Sequence, residues 1–250
     1  MRDYTSIVAL GDIMSDVKTH SLLYRFKFPD GNIKEFSIQL DPKTLTFVPA
    51  EGNSPPPEWT RLKHFQCDNC PLREETHPHC PIAKNLVPVI ETFKNIISYE
   101  QADVEIVTES RTYSARTALQ NAIGSLIGIH MVTSGCPVMD KLRPMVKTHL
   151  PFATLDETVY RAISMYLTAQ YFLYKKGKTP DWDLENLVKV YEEIRIVNRC
   201  FVKRLASMKM QDASLNAVVI LDCFADTATF MITNEMLEEF EDLFQAYLKP

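Results

Sequence analysis

Glycine is scarce in this chain: the 250 residues contain only seven. They form neither a G-x-G-x-x-G turn nor a P-loop, so the nucleotide-binding folds that need backbone close to phosphate are disfavoured. Long apolar runs are also missing. No segment approaches the roughly 20 residues that a membrane span requires. The opening Met1-Arg2-Asp3-Tyr4 leads only to the short apolar stretch Ser6 to Leu10, which does not make a secretory leader. An excess of positive charge is lacking too. A net charge of -5 and a pI near 5.7 offer no general attraction to nucleic acid or to an anionic membrane. The expectation is therefore a cytoplasmic protein whose cysteines stay reduced, and reduced cysteines point to metal or catalytic use rather than disulfides.

Proline and thiols are what the chain has. Fifteen prolines suit rigid loops around a helix-rich body. Hydrophobic residues at 46 % and charged residues at 24 % match an ordinary globular composition, which argues against disorder and against a coiled coil.

The densest chemistry lies in His64-Phe65-Gln66-Cys67-Asp68-Asn69-Cys70-Pro71 and His77-Pro78-His79-Cys80-Pro81. A Cys-x2-Cys pair can turn two sulfurs toward one point, and soft ligands returned by a short loop complete a tetrahedron around zinc. Cys67 and Cys70 make that pair and Cys80 is the third ligand. His64, His77, His79 and the distant Cys136 compete for the fourth place. Cys70, Cys80 and Cys136 each precede a proline, which biases them toward extended backbone. Cys-Pro also ends ferredoxin-type cysteine runs, so an iron-sulfur cluster on Cys67, Cys70, Cys80 and Cys136 is the alternative cofactor. The interval from Cys70 to Cys80 belongs to neither a zinc ribbon nor a ferredoxin.

Alternation from His20 to Phe28, a turn at Pro29-Asp30-Gly31-Asn32 and renewed alternation from Lys34 to Leu40 predict a hairpin. Leu45 to Val48 is expected to add a third strand, and Glu51 to Trp59, with three consecutive prolines, a stiff linker. Helical spacing follows from Pro81, with a kink at Pro88. Asp103 to Val107 returns to strand alternation and can join the early sheet.

From Ser114 onward the pattern reads almost wholly as helix. One stripe runs from Ala118 to Met131 and stops at Ser134-Gly135. A capping box at Thr154-Leu155-Asp156-Glu157 opens the next helix. A third carries Leu184 to Leu205, and a fourth, Ser214 to Met231, is apolar nearly all round and is expected to be central. A last amphipathic helix bears Leu237, Phe240, Leu243, Phe244 and Tyr247. The fold class is thus α+β: a small N-terminal antiparallel sheet, a Cys/His metal loop and a C-terminal helical bundle. Residues 1–113 hold the sheet, the loop and one helix; residues 114–250 hold the bundle.

Other polar positions have plain readings. His130 lies on an apolar face, where a hydrogen-bonded core histidine is commoner than a ligand. Cys200 and Cys223 fall in apolar helical patterns and read as core. Asp222 and Asp226 share a helix face and are expected to bond to backbone or arginine. Cys136, after a helix stop and before Pro137, can act as ligand or as a nucleophile with His149 or His130 as base. The leading expectation is a structural zinc site, with metal ligands drawn from Cys67, Cys70, Cys80, Cys136, His77 and His79, in a non-catalytic interaction or regulatory protein that binds a protein partner. An iron-sulfur redox or sensing protein comes second, and a thiol enzyme built on Cys136 third.

Overall fold

In the computed structural model, residues 20–49, 55–233 and 237–249 are described. The Ser6 to Leu10 stretch, read as too short for a leader, and the Glu51–Ser54 part of the expected linker lie outside them.

Strand β1 (His20–Lys27) buries Leu22, Tyr24 and Phe26 on one face. Antiparallel β2 (Ile33–Leu40) pairs with it in a register that sets Tyr24 opposite Phe36. The turn between them uses Gly31 at φ +87°, a conformation open to glycine, and the Asp30 carboxylate accepts from the Asn32 N–H. The expected third strand does not form. Asp41 Oδ1 accepts from the N–H groups of Lys43 and Thr44, Leu45 turns to φ +57°, and a single bridge from Leu40 to Phe47 remains.

Helix α1 (Pro81–Phe93) starts at the proline and runs through Pro88. It lays Phe93 against Phe26 and Phe36, with ring centroids 5.0 and 5.4 Å away. Strand β3 (Gln101–Thr108) pairs antiparallel with β1, and β4 (Thr112–Ala118) with β3, giving the order β2-β1-β3-β4. Strand β4 corrects the sequence reading, which starts helix at Ser114; its small and hydroxyl side chains carry little apolar alternation, and pairing with β3 decides its state. The outer face of the sheet carries Arg25, Lys27, Glu35 and Glu105 in ion pairs.

Helix α2 (Leu119–Thr133) leaves β4 directly and buries nearly its whole length. It joins the sheet to the remaining helices: Ser125 reaches Tyr24 of β1, and a Cβ at Gly124 would stand 3.5 Å from the Ala217 carbonyl. A 3-10 segment, Met139–Thr148, leads to α3 (Leu155–Lys175), whose first turn carries the expected capping box, Thr154 with Glu157. Helix α4 (Glu185–Ala206) and helix α5 (Ala213–Thr233) pack on each other, and α5 also packs on α2.

Helix α5 buries Ala217, Val218, Ala225 and Ala228 but exposes Val219, Phe224 and Phe230, so it is half covered rather than central. Contrary to the sequence reading that no segment approaches a membrane span, it is by length and composition the one helix among the described residues able to cross a membrane, a test that core helices also pass. Its aspartates take the plain role: Arg195 pairs with Asp222 and Asp226, and Arg199 with Asp222 at 3.3 Å. The last expected helix is broken into α6 (Glu238–Glu241), a 3-10 turn and α7 (Gln245–Leu248). Leu237 and Phe240 pack against the core while Leu243 and Tyr247 face solvent, so its stripe is only partly used.

Candidate metal centre

The Cys/His segment is a closed loop. The Leu62 N–H donates to the Pro78 carbonyl at 2.9 Å and the Cys80 N–H to Thr60 at 2.8 Å, while Arg61 and His79 form an antiparallel bridge. These bonds form a stem, so the residues between return Cys80 to the side of Cys67 and Cys70. Within the loop, the Cys70 N–H closes a turn on the Cys67 carbonyl at 3.0 Å, and Gln66 donates to Leu72.

Helix α4 pins the loop from below. Arg204 is 2 % exposed. Its guanidinium donates to the carbonyls of Trp59 and Arg61 at 2.7 Å each, of Leu62 at 3.3 Å and of Phe65 at 3.4 Å. Asn69 reaches the backbone and carboxylate of Glu193, and His64 pairs with Ser207 at 2.9 Å. An arginine forks over several acceptors because its five donors are fixed in a plane.

Four thiols converge on this frame. Cys67 and Cys70 come from the loop and Cys80 is the N-cap of α1. Cys136 follows α2, its N–H bonded to Ser134 Oγ. Burial pushes the Cys67 thiol far up, and neighbouring Cys200, Cys80, Cys136 and Cys70 push it further. Burial also raises Cys80 and Cys136, each of which feels Cys70, and Cys136 feels Cys80. Every pair among Cys67, Cys70, Cys80 and Cys136 is therefore within electrostatic reach.

Opposing forces favour the anion. Backbone N–H groups of Ala83 and Ile82 beside Cys80, and of Met139 and Val138 beside Cys136, pull both thiols down against a larger upward push from burial. Arg204 acts the same way on Cys80. Burial lowers the Arg204 guanidinium, and the thiols of Cys80, Cys67, Cys70 and Cys200 raise it. No carboxylate of the described residues pairs with it, so the thiols are the acidic groups it faces.

The histidines of the segment are engaged with hydroxyls. His77 Nδ1 bonds to Thr76 Oγ1 at 2.9 Å and His79 Nδ1 to Thr60 Oγ1 at 2.7 Å; the groups that weigh most on Cys67 are thiols. His130 is buried beside Phe47, as its apolar face implies, but the expected hydrogen bond is missing: its Nδ1 has no partner among the described residues. His149, the other candidate base, is tied to the Tyr24 hydroxyl at 2.6 Å. Cys136 itself is raised by burial, the reverse of what a nucleophile needs. Among the described residues, no three His, Cys, Asp or Glu side chains are grouped so as to hold a metal ion. The four sulfurs are thus neighbours without forming the tight set that one ion demands.

Two residues of the site escape sequence reasoning. Cys200 is buried as its pattern implies and also acts on the Cys67 thiol, whereas Cys223, read alike, is exposed; Arg204 lies one helical turn after Cys200. A cation inside the stripe Phe201, Leu205 is the signal that was there to find.

Comparison with family models places residues 22–245 in one match. The chain belongs to DUF6901, a domain of unknown function. No curated protein and no solved structure matches it significantly. All five clustered cysteines and Arg204 fall inside the DUF6901 span, so the site is part of the domain rather than an appendage to it.

Proposed function

We propose that this DUF6901 domain binds an iron-sulfur cluster through Cys67, Cys70, Cys80 and Cys136 and uses it for electron transfer or redox sensing. The observation that carries the proposal is Arg204, a buried cation with no carboxylate partner, set against a group of thiols. A buried charge is tolerated when an opposite charge meets it, and four thiolates around a cluster supply that charge. The N–H groups beside Cys80 and Cys136 favour thiolates electrostatically, and such donors are one of the levers that tune cluster potential. Sulfurs on one tetrahedral zinc stand about 3.8 Å apart, given Zn–S bonds of about 2.3 Å, whereas in a 4Fe–4S cluster each cysteine binds a different iron and the sulfurs spread farther.

Zinc is the second reading, favoured by the hydrogen-bonded Cys67-x2-Cys70 turn. In that case the centre staples the loop to α1, α2 and α4 and stabilises folding without chemistry of its own. Either centre is proposed in a reducing, cytoplasmic setting, where the thiols remain available.

The test is elemental analysis, with an absorption spectrum, of protein purified without oxygen. Iron with matching sulfide and a brown colour supports the cluster. About one zinc per chain without colour replaces it by the staple. Protein that carries neither metal, and takes up neither on reconstitution, overturns both.

A further inference from the structure

A second site lies between α2, the 3-10 segment Met139–Thr148, α3 and α5. It is a cavity of about 480 Å3 that opens to solvent, within the size range of small-molecule sites. Leu142, Met145, Val146, Ile220, Leu221 and Phe224 supply apolar wall. Gly128 of α2 contributes no side chain there; a Cβ at that position would stand 3.8 Å from Leu221, so the glycine leaves the space empty.

Polar groups gather at one part of the lining. Ser125 and His149 both meet the Tyr24 hydroxyl, at 2.9 and 2.6 Å. Arg161 is the single cationic lining residue. Its Nη2 donates to the Met145 carbonyl at 3.0 Å, but Nε is buried without a partner. Among the described residues no carboxylate is ion-paired with it. Glu157, one turn earlier, spends its carboxylate on the Thr154 N–H.

We infer that this cavity binds a small amphipathic carboxylate, with the acid group on Arg161 and an unbranched or lightly branched apolar tail along Leu142, Met145, Leu221 and Phe224. One cation suits a monoanion. A phosphate or a nucleotide would call for several cationic or backbone donors converging on one point, and the lining is mostly apolar. Burial that lowers Arg161 adds to the gain from pairing, because an anion in the cavity restores what the guanidinium loses by leaving water. The wall shared with the thiol site is the 3-10 segment, which begins three residues after Cys136, yet binding here requires no metal.

Calorimetric titration of the full chain, as purified, with sodium decanoate below its micelle concentration tests the inference. Expected is saturable binding of one molecule per chain, with hexanoate weaker by roughly 200-fold for the four methylenes lost. Decyltrimethylammonium, with the same tail and opposite charge, is expected to bind at least roughly tenfold more weakly than decanoate. Arg161→Gln weakens decanoate by roughly tenfold or more, Arg161→Lys retains most of the binding, and Gly128→Leu, which fills the cavity, abolishes it. Circular dichroism confirms that each variant is folded. Absence of saturable decanoate binding, equal binding of the cationic amphiphile, or undiminished binding by folded Arg161→Gln overturns the inference. The two-ligand comparison needs only the unmodified chain, so it decides even if a variant fails to fold.

Discussion

Arg204 Nη1 donates to the Trp59 carbonyl at 2.7 Å, across 145 positions of sequence. This bond, with those to Arg61, Leu62 and Phe65, makes one side chain of α4 the floor of the cysteine loop. Replacing it removes donors from several carbonyls at once. Arg204→Met is expected to cost about 3 kcal/mol or more, read as a lower denaturant midpoint, together with reduced metal content. Arg204→Lys keeps the charge but has three donors on one atom and cannot fork across the loop. Lys retaining metal while losing stability assigns the charge to the centre and the fork to the loop; a Met variant as stable as the original sinks both roles.

Thiol reactivity should divide the cysteines by burial. Cys223 is exposed whereas Cys136 and Cys200 are buried. Iodoacetamide at neutral pH is expected to modify Cys223 first and to leave Cys136 untouched until the chain unfolds. In protein that carries the proposed centre, removing it with a chelator should then open Cys67, Cys70 and Cys80. Selective early alkylation of Cys136 would instead make the thiol enzyme the better account.

Acid should weaken the fold through two histidines. Burial lowers His130 to about 4 and His149 to about 3, against an ordinary value near 6.5. Both are neutral in the folded chain, so the unfolded chain takes up protons first as pH falls. Stability is therefore level above about pH 6.5 and drops below it by about 1.4 kcal/mol per pH unit for each histidine, down to the folded values. His130→Phe preserves the contact with Phe47 and should roughly halve that slope between pH 6 and 4. An unchanged slope in urea melts across that range would remove His130 from the account.

The α3 cap offers a local check. Thr154 Oγ1 accepts from the Glu157 N–H at 3.2 Å and the Glu157 carboxylate accepts from the Thr154 N–H at 2.7 Å. Thr154→Ala should cost about 1 kcal/mol. Since Glu157 lies near Arg161, the same variant measured with decanoate reports whether a loosened cap lets Glu157 compete for the guanidinium.

Short-range chemistry determined much of this protein in advance. The β1 and β2 hairpin, the start of α1 at Pro81, the stop of α2 before Gly135 and the Thr154 cap all rest on contacts within a few residues, so alternation, turn residues and capping spacing carry them. The reading of α+β with an N-terminal antiparallel sheet follows from those patterns alone. Where pairing partners are distant, pattern was not enough. Strand β4 has small side chains and becomes a strand because β3 offers it an edge; the Leu45 to Val48 stretch meets the open edge of β2 but, with Leu45 turned to positive φ, keeps only the Phe47 to Leu40 bridge. Helix α5 is apolar all round, and only the positions of α2 and α4 decide that one face stays open. The cysteine loop shows the same division. Spacing singled out Cys67, Cys70, Cys80 and Cys136, whereas Cys200 and Arg204 came to them through the packing of α4, since bringing a cation from position 204 to carbonyls near position 60 is a property of tertiary structure that local sequence does not encode.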